Sequence, residues 1–261
     1  MAFMGSKLKN IKKNIVRMAH YSSASHVGSA LSIVDILYVL YGKIVNITAQ
    51  NLTHGNRDRV LLSKGHASTA LYATLAEFGL LDKTLLDKYY IDDGVLPGHL
   101  DKDVSPAVDI SAGSLGHGLS MGVGMALGDK SNHVYVIMGD GECNEGSVWE
   151  AFMQLGVLKL TNITVIIDKN CLQGYDESCR VADFSHLKST LENFGLYATE
   201  INGHNLQEIE TTLKTKIDRT KVIIAHTIKG YGVSYMENQL KWHYKSPNDE
   251  ELEIALKELD K

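Results

Sequence analysis

The chain has 261 residues, 44% of them hydrophobic and 22% charged, with a formal net charge of −5 at neutral pH. That length buries a sizeable core in one large or two small α/β domains, and a mildly acidic balance leaves no footprint for nucleic acid or an anionic membrane surface. Three cysteines without CxxC spacing, Cys143, Cys171 and Cys179, argue against disulfide and zinc frameworks and for a reducing cytoplasm, while no stretch of about 18 apolar residues predicts a membrane span and no signal-peptide pattern opens the chain.

Residues 6–45 read as helical, with Ile11, Ile15, Met18 and Ala19 at helical spacing and the pattern resuming over 33–40 after a break at SSASHVGS. The basic cluster KLKNIKK, 7–13, reads as the solvated face of the first helix. Continuous apolar runs at 59–62 (RVLL), 133–138 (HVYVIM), 163–167 (ITVII) and 221–225 (KVIIA) predict parallel strands covered on both faces. A helical pattern over 145–159 joins the second strand to the third. The implied fold is α/β, a doubly wound, mainly parallel sheet with helices on both faces. Residues 91–113 and 230–248 read as loops, and NDEELEIALKELDK as a surface helix capped by Asn248 or Asp249.

Two strand ends carry the chemistry. GDGECNEGSVWEA (139–151) sets glycines on both sides of Asp140 directly after one strand, and DKNCLQG (168–174) sets Asn170 just past the next. The separation of about 30 residues suits one βαβ crossover, and a right-handed crossover brings the two loops together beyond the carboxyl ends of the strands. The Asp140 carboxylate, the Asn170 side-chain carbonyl and the Leu172 backbone carbonyl then offer three hard oxygen ligands. Magnesium fits such a set and completes its shell with phosphate and water; calcium or manganese would accept it too. Gly139 and Gly141 let backbone approach a phosphate, and a helix start after Glu142 would present N–H donors. Asp140 thus reads as holding a metal that holds a diphosphate. The glycines of GSLGHG (113–118) and GVGMALG (122–128) raise a nicotinamide site as the other possibility, but neither clearly follows a strand within a βαβ unit, and no acidic residue closes a second strand about 20 residues on.

At this Asp–Asn pair the sequence resembles the thiamine diphosphate enzymes, and the transketolases in particular. SHVGSALS (25–32), LLSKGHAS (61–68), LPGHL (96–100), GSLGHGL (113–119) and TIKGYGVSYMENQLKWH (227–243) follow one another in the order of a transketolase pyrophosphate-binding domain. The resemblance implies that 1–261 is one such domain. It implies metal ligation by Asp140, Asn170 and Leu172, and thiamine diphosphate contacts from Ser29, His66, Gly113, Leu115, Gly141, Asn170, Lys229 and His243. His26, His99 and His243 would line the substrate channel as the catalytic histidines; a group that titrates near neutrality suits hydrogen bonding to sugar hydroxyls and proton movement there. His20, His54, His133, His186, His204 and His226 fall outside these roles and read as surface or packing residues, and His117 as a polar contact to a neighbouring site. ASHVG stands where the family has SGHPG, and Tyr231 where some relatives carry a second basic residue.

The family's pyrimidine-binding and C-terminal domains have no counterpart here, and the glutamate that activates the cofactor belongs to the former. The resemblance therefore implies the N-terminal subunit of a split transketolase, inactive without a C-terminal partner subunit, with its sites at subunit interfaces of an α2β2 heterotetramer. Its reaction would transfer a two-carbon ketol unit from a ketose donor to an aldose acceptor, with sugars or sugar phosphates as substrates and neither nucleic acid nor membrane as partner. The alternatives are the α subunit of a thiamine-dependent 2-oxo acid dehydrogenase and a non-catalytic thiamine diphosphate-binding regulatory subunit.

Overall fold

The computed structural model describes residues 2–261, with side chains from residue 5 onward. The expected N-terminal helical region is three helices: α1 (Ala2–Tyr21), α2 (Val27–Leu31) and α3 (Val34–Val39), the last continued by a π-helical turn, Leu40–Ile44. The break is shorter than SSASHVGS suggests, because Gly28 and Ser29 already lie in α2. Strand β1 (Arg59–Leu62) leads through a 3-10 turn at Gly65–Ala67 into α4 (Ser68–Glu77), and α5 (His117–Gly128) precedes β2 (Val134–Gly139). The crossover helix α6 (Gly146–Leu158) and β3 (Ile163–Lys169) follow, then α7 (Ser178–Val181), α8 (Leu187–Asn193), β4 (Tyr197–Asn202), α9 (Leu206–Lys214), β5 (Lys221–His226) and α10 (Asp249–Glu258). Asn248 caps α10 in a capping box with Glu251.

The five strands form one parallel sheet in the order β1-β2-β3-β5-β4. Side chains alternate along each strand, so a strand covered on both faces must be apolar throughout. In β2, Tyr135 and Ile137 enter the core built with α1 to α4, α9 and α10, while Val134, Val136 and Met138 enter the opposite core with α5, α6 and α8. β3 divides in the same way between Ile166 and the set Ile163, Val165 and Ile167. This is the doubly wound α/β sheet expected from the apolar runs.

β4 is the strand that pattern reading misses. It lies at the sheet edge, paired only with β5, and buries just Ala198 and Ile201 of YATEIN. Two glycines of α5 are packing glycines and form no dinucleotide turn: a Cβ on Gly118 would meet Ser63, and one on Gly122 would meet Val136 of β2 at 2.5 Å. The KLKNIKK cluster is also not simply solvated. Lys12 is buried, 3.4 Å from Asp35 of α3, and Lys13 pairs with Asp260. Among the described residues, no helix is long and apolar enough to cross a membrane.

Candidate active site

The two loops meet as the crossover length requires. Gly139, the last residue of β2, is in register with Asp168 of β3, and the Asp140 N–H donates to the Asp168 carbonyl at 3.1 Å. One oxygen of the Asp140 carboxylate accepts the Gly141 N–H and the other the Cys171 N–H, each at 2.8 Å. Cys171 turns the chain with φ at 62°, a left-handed value uncommon outside glycine. The Asn170 amide is oriented by its neighbours: Nδ2 donates to Asp168 at 2.9 Å, and Oδ1 accepts the Leu172 N–H at 3.1 Å.

Beneath these loops lies a buried charge network. Asp168 is fully buried and accepts from Lys64 (2.5 Å), the Ser32 hydroxyl (2.7 Å), Asn170 and the Thr227 hydroxyl. Burial alone would raise its carboxyl, but the Lys64 ammonium and these hydroxyl donors hold it below the usual carboxylate range. Asp140 is pushed up, first by burial and then by the negative Asp168. Glu142 is pushed up by burial; its carboxylate accepts the Ser63 hydroxyl and the N–H groups of Gly116 (2.8 Å) and Gly139 (3.2 Å), joining three loops.

Four histidines close over this floor. The His26 ring centroid lies 4.8 Å from His243, 5.1 Å from His66 and 5.7 Å from His99. His26 adopts φ 71°, and its N–H donates to the His243 carbonyl at 2.9 Å, so the ASHVG loop reaches its geometry without the family's proline. Burial, then neighbouring positive charge, lowers His26 to about 4 and His243 to about 3, and His66 falls well below its ordinary value for the same reasons. All three are neutral at working pH.

The four rings line a cavity of about 330 Å³ together with Ser29, Gly113, Leu115, Gly141, Asp140, Asn170 and Leu172. Lys229 is set one step back. Its ammonium donates to the Leu172 carbonyl (3.2 Å), the Gln173 carbonyl (3.3 Å) and His243 Nδ1 (3.0 Å), and burial lowers it to about 8. The helix start after Glu142 also differs from expectation: a 3-10 turn, Gly141–Asn144, fills that place, α6 begins only at Gly146, and Gly141 and Glu142 reach the cavity instead. His117 is exposed and bonds its own loop at the Leu115 carbonyl.

Pattern reading misses Lys64, Glu142, Asp168 and Gln173, all at the cavity or directly beneath it. The available signal was charge at the ends of apolar strands, since a charge carried into a core must be paired or bound. His133 and His204 are not idle either. His133 Nε2 bonds the Thr164 hydroxyl at 2.9 Å, and His204 sits among Asp35, Ile228 and Tyr231. Tyr231 stacks on His204 beside a second cavity of about 590 Å³, larger but without Asp140, Asn170 or the four-histidine group.

The chain's groups suit a metal–diphosphate. Lys229, 1% exposed, has no carboxylate within ion-pair distance among the described residues, which favours an anion nearby. Gln173 Nε2 is buried with no hydrogen-bond partner, and a Cβ on Gly139 would meet nothing within 4 Å. A cation beside Asp140 would relieve its repulsion from Asp168. Among the described residues no cluster of three His, Cys, Asp or Glu is placed to hold a metal, so the donors would be Asp140 with amide and carbonyl oxygens, leaving room for phosphate oxygens. The Leu172 carbonyl keeps a second lone pair beside its bond from Lys229.

Residues 8–259 match the family model described as transketolase, thiamine diphosphate binding domain. The chain is 38% identical over 262 residues to one of the subunits of the apulose-4-phosphate transketolase of Actinobacillus succinogenes, covering 97% of this chain and 94% of that one. It is 37% identical over 245 residues to the 6-deoxy-6-sulfo-D-fructose transketolase subunit SqwG of a Clostridium strain, covering 90% and 88%. Among solved structures, the transketolase of Campylobacter jejuni superposes with a TM-score of 0.88 at 29% identity; the match covers 98% of this chain but only 42% of that one.

Proposed function

The chain belongs to the transketolase family, and we propose that it is the thiamine diphosphate-anchoring subunit of a two-component transketolase, moving a two-carbon ketol unit from a ketose donor to an aldose acceptor. The observation that carries this is the set of four histidines gathered over a buried Asp140–Asn170 pair at the ends of β2 and β3. Relatives of matching length that are named as transketolase subunits support a partner chain, and the C-terminal subunit of a split transketolase fits that role in an α2β2 assembly. In this reading residues 1–261 act as one pyrophosphate-binding domain in the cytoplasm.

Asp140, Asn170 and the Leu172 carbonyl would hold a divalent metal, magnesium by preference, and Gly139, with open space where a Cβ would stand, would leave room for the diphosphate beside Gly141. Ser29, His66, Gly113 and Leu115 would flank the cofactor, with Lys229 bracing the Leu172–Gln173 backbone and His243. When bound, thiamine diphosphate supplies the stabilisation of negative carbon that ketol transfer needs. The chain's part is to orient and to move protons. Neutral His26 can accept a hydroxyl proton from the sugar and return it to the acceptor's carbonyl oxygen. His243, whose Nδ1 accepts from Lys229, offers Nε2–H as a donor, and with His99 it would hold both sugars by hydrogen bonds. Desolvation by the buried walls strengthens each of these bonds.

The test is a ketol-transfer assay of this chain alone and mixed with a candidate C-terminal subunit, with thiamine diphosphate and magnesium, across phosphorylated, sulfonated and plain ketose donors. Transfer in the mixture only, lost in Asp140→Ala, is expected. Acyl-dihydrolipoamide as the product would replace this reading with the 2-oxo acid dehydrogenase. Unchanged activity of the mixture after His99→Ala would replace it with the regulatory subunit.

A further inference from the structure

We infer that His204 is a positioning residue of the active site, acting through the Ile228 amide on Thr227 and Lys229. It follows β4 in the turn before α9, and its side chain is 8% exposed. The Ile228 N–H donates to His204 Nε2 at 2.8 Å. A nitrogen that accepts carries no proton, so the ring is neutral with its proton on Nδ1, which donates to Asp35 Oδ2 at 2.7 Å. Asp35 is itself buried, with its other oxygen 3.4 Å from the Lys12 ammonium. The opposite face of the arrangement is fixed as well: Tyr231 stacks on the imidazole at 3.5 Å and 19°, and Lys12 lies 4.4 Å from the Tyr231 ring centre.

What His204 grips is the short segment that serves the site from below. Thr227 donates its hydroxyl to Asp168, which orients Asn170. Lys229 joins the Leu172 and Gln173 carbonyls to His243. Ile228 lies between them, so the position of its amide sets both. Tyr231 therefore belongs to this support, and no second basic residue is needed at its position. An aromatic residue of similar size could keep the stacking but could not accept from Ile228; only a side chain with both an acceptor and a donor bridges the amide to Asp35.

This inference rests on the proposal that the Asp140–Leu172 loops bind thiamine diphosphate. The experiment measures the dissociation constant of thiamine diphosphate, with magnesium, for the full chain by calorimetry in His204→Phe, His204→Gln, Lys229→Met and the His204→Phe/Lys229→Met pair. Binding about tenfold weaker in His204→Phe, partial recovery in His204→Gln, and no further loss in the pair beyond Lys229→Met are expected. Wild-type affinity in His204→Phe, or losses that simply add in the pair, would overturn it. Wild-type affinity in Lys229→Met would likewise reject the coupling through Lys229, whereas no measurable binding by the wild-type chain would overturn the cofactor reading beneath it. If His204→Phe does not fold, hydrogen exchange of the wild-type chain decides: slower exchange of the Ile228 amide on adding thiamine diphosphate and magnesium supports the coupling, and unchanged exchange rejects it.

Discussion

Lys64 Nζ and Asp168 Oδ2 lie 2.5 Å apart with both residues almost wholly out of water, at 1% and 0% exposure. The pair fastens the segment after β1 to the end of β3, and Asp168 in turn aims Asn170. Breaking one side leaves a bare charge in the core, so Asp168→Leu or Lys64→Met alone should cost about 3–5 kcal/mol. The double replacement should cost clearly less than the sum, read from urea midpoints at unchanged slope.

Asp140→Asn separates stability from function. Its carboxylate is buried beside Asp168, and its raised ionisation says that it is held at a cost. Removing the charge relieves that repulsion, but the amide NH2 then faces the Gly141 or Cys171 N–H, so the two effects offset and the cofactor-free chain should stay within about 2 kcal/mol of wild type. The rise in unfolding temperature that thiamine diphosphate and magnesium give the wild type should vanish.

His26→Asn is the preferred probe of the channel, because asparagine tolerates the left-handed backbone that His26 occupies. In a mixture with the proposed C-terminal subunit, ketol transfer should drop by about 10²-fold. Cofactor-induced thermal stabilisation should persist, since the role proposed for this ring is toward the sugar and not the diphosphate.

His133, lowered to about 4 chiefly by burial, makes the fold acid-sensitive away from the site. Below about 6.5 the unfolded chain binds a proton that the folded one refuses. Its contribution is therefore whole above that pH and is lost as pH falls toward 4, by ~1–3 kcal/mol allowing for partial solvent access. Denaturant titrations at pH 7.5 and 4.5 should show a shallower loss in His133→Gln than in wild type.

Two helical glycines should answer alanine in opposite directions. A Cβ on Gly156 of α6 would lie 1.9 Å from the Phe194 carbonyl, a backbone atom that cannot yield cheaply, so Gly156→Ala should cost ~3 kcal/mol or more. Gly124 of α5 has nothing within 4 Å, and Gly124→Ala should add about 0.5–1 kcal/mol through helix propensity. Chemical denaturation of the two variants checks both signs.

The apolar runs made β1, β2, β3 and β5 readable because burial on both faces leaves no polar alternation to confuse them. Edge strand β4 was not, since YATEIN spends half its side chains on water. α4 was equally silent: with Ser68 to Ala76 all buried it has no amphipathic stripe to detect. Asp140 and Asn170 were legible because strand ends and crossover length are local facts. Lys64, Glu142 and His204 were not, because each acts through a partner far along the chain, Asp168, Gly116 and Ile228.

The bond from the His26 N–H to the His243 carbonyl joins a turn near the start of the chain to one far along it. During synthesis the ribosome delivers His26 early and its acceptor late, so for most of translation the left-handed turn has only its local bonds. The four-histidine cavity closes only when the chain is nearly finished. A product clipped before His243 lacks both the fourth ring and the clasp, so the four-histidine cavity cannot close in it: the pocket depends on the completeness of its own chain.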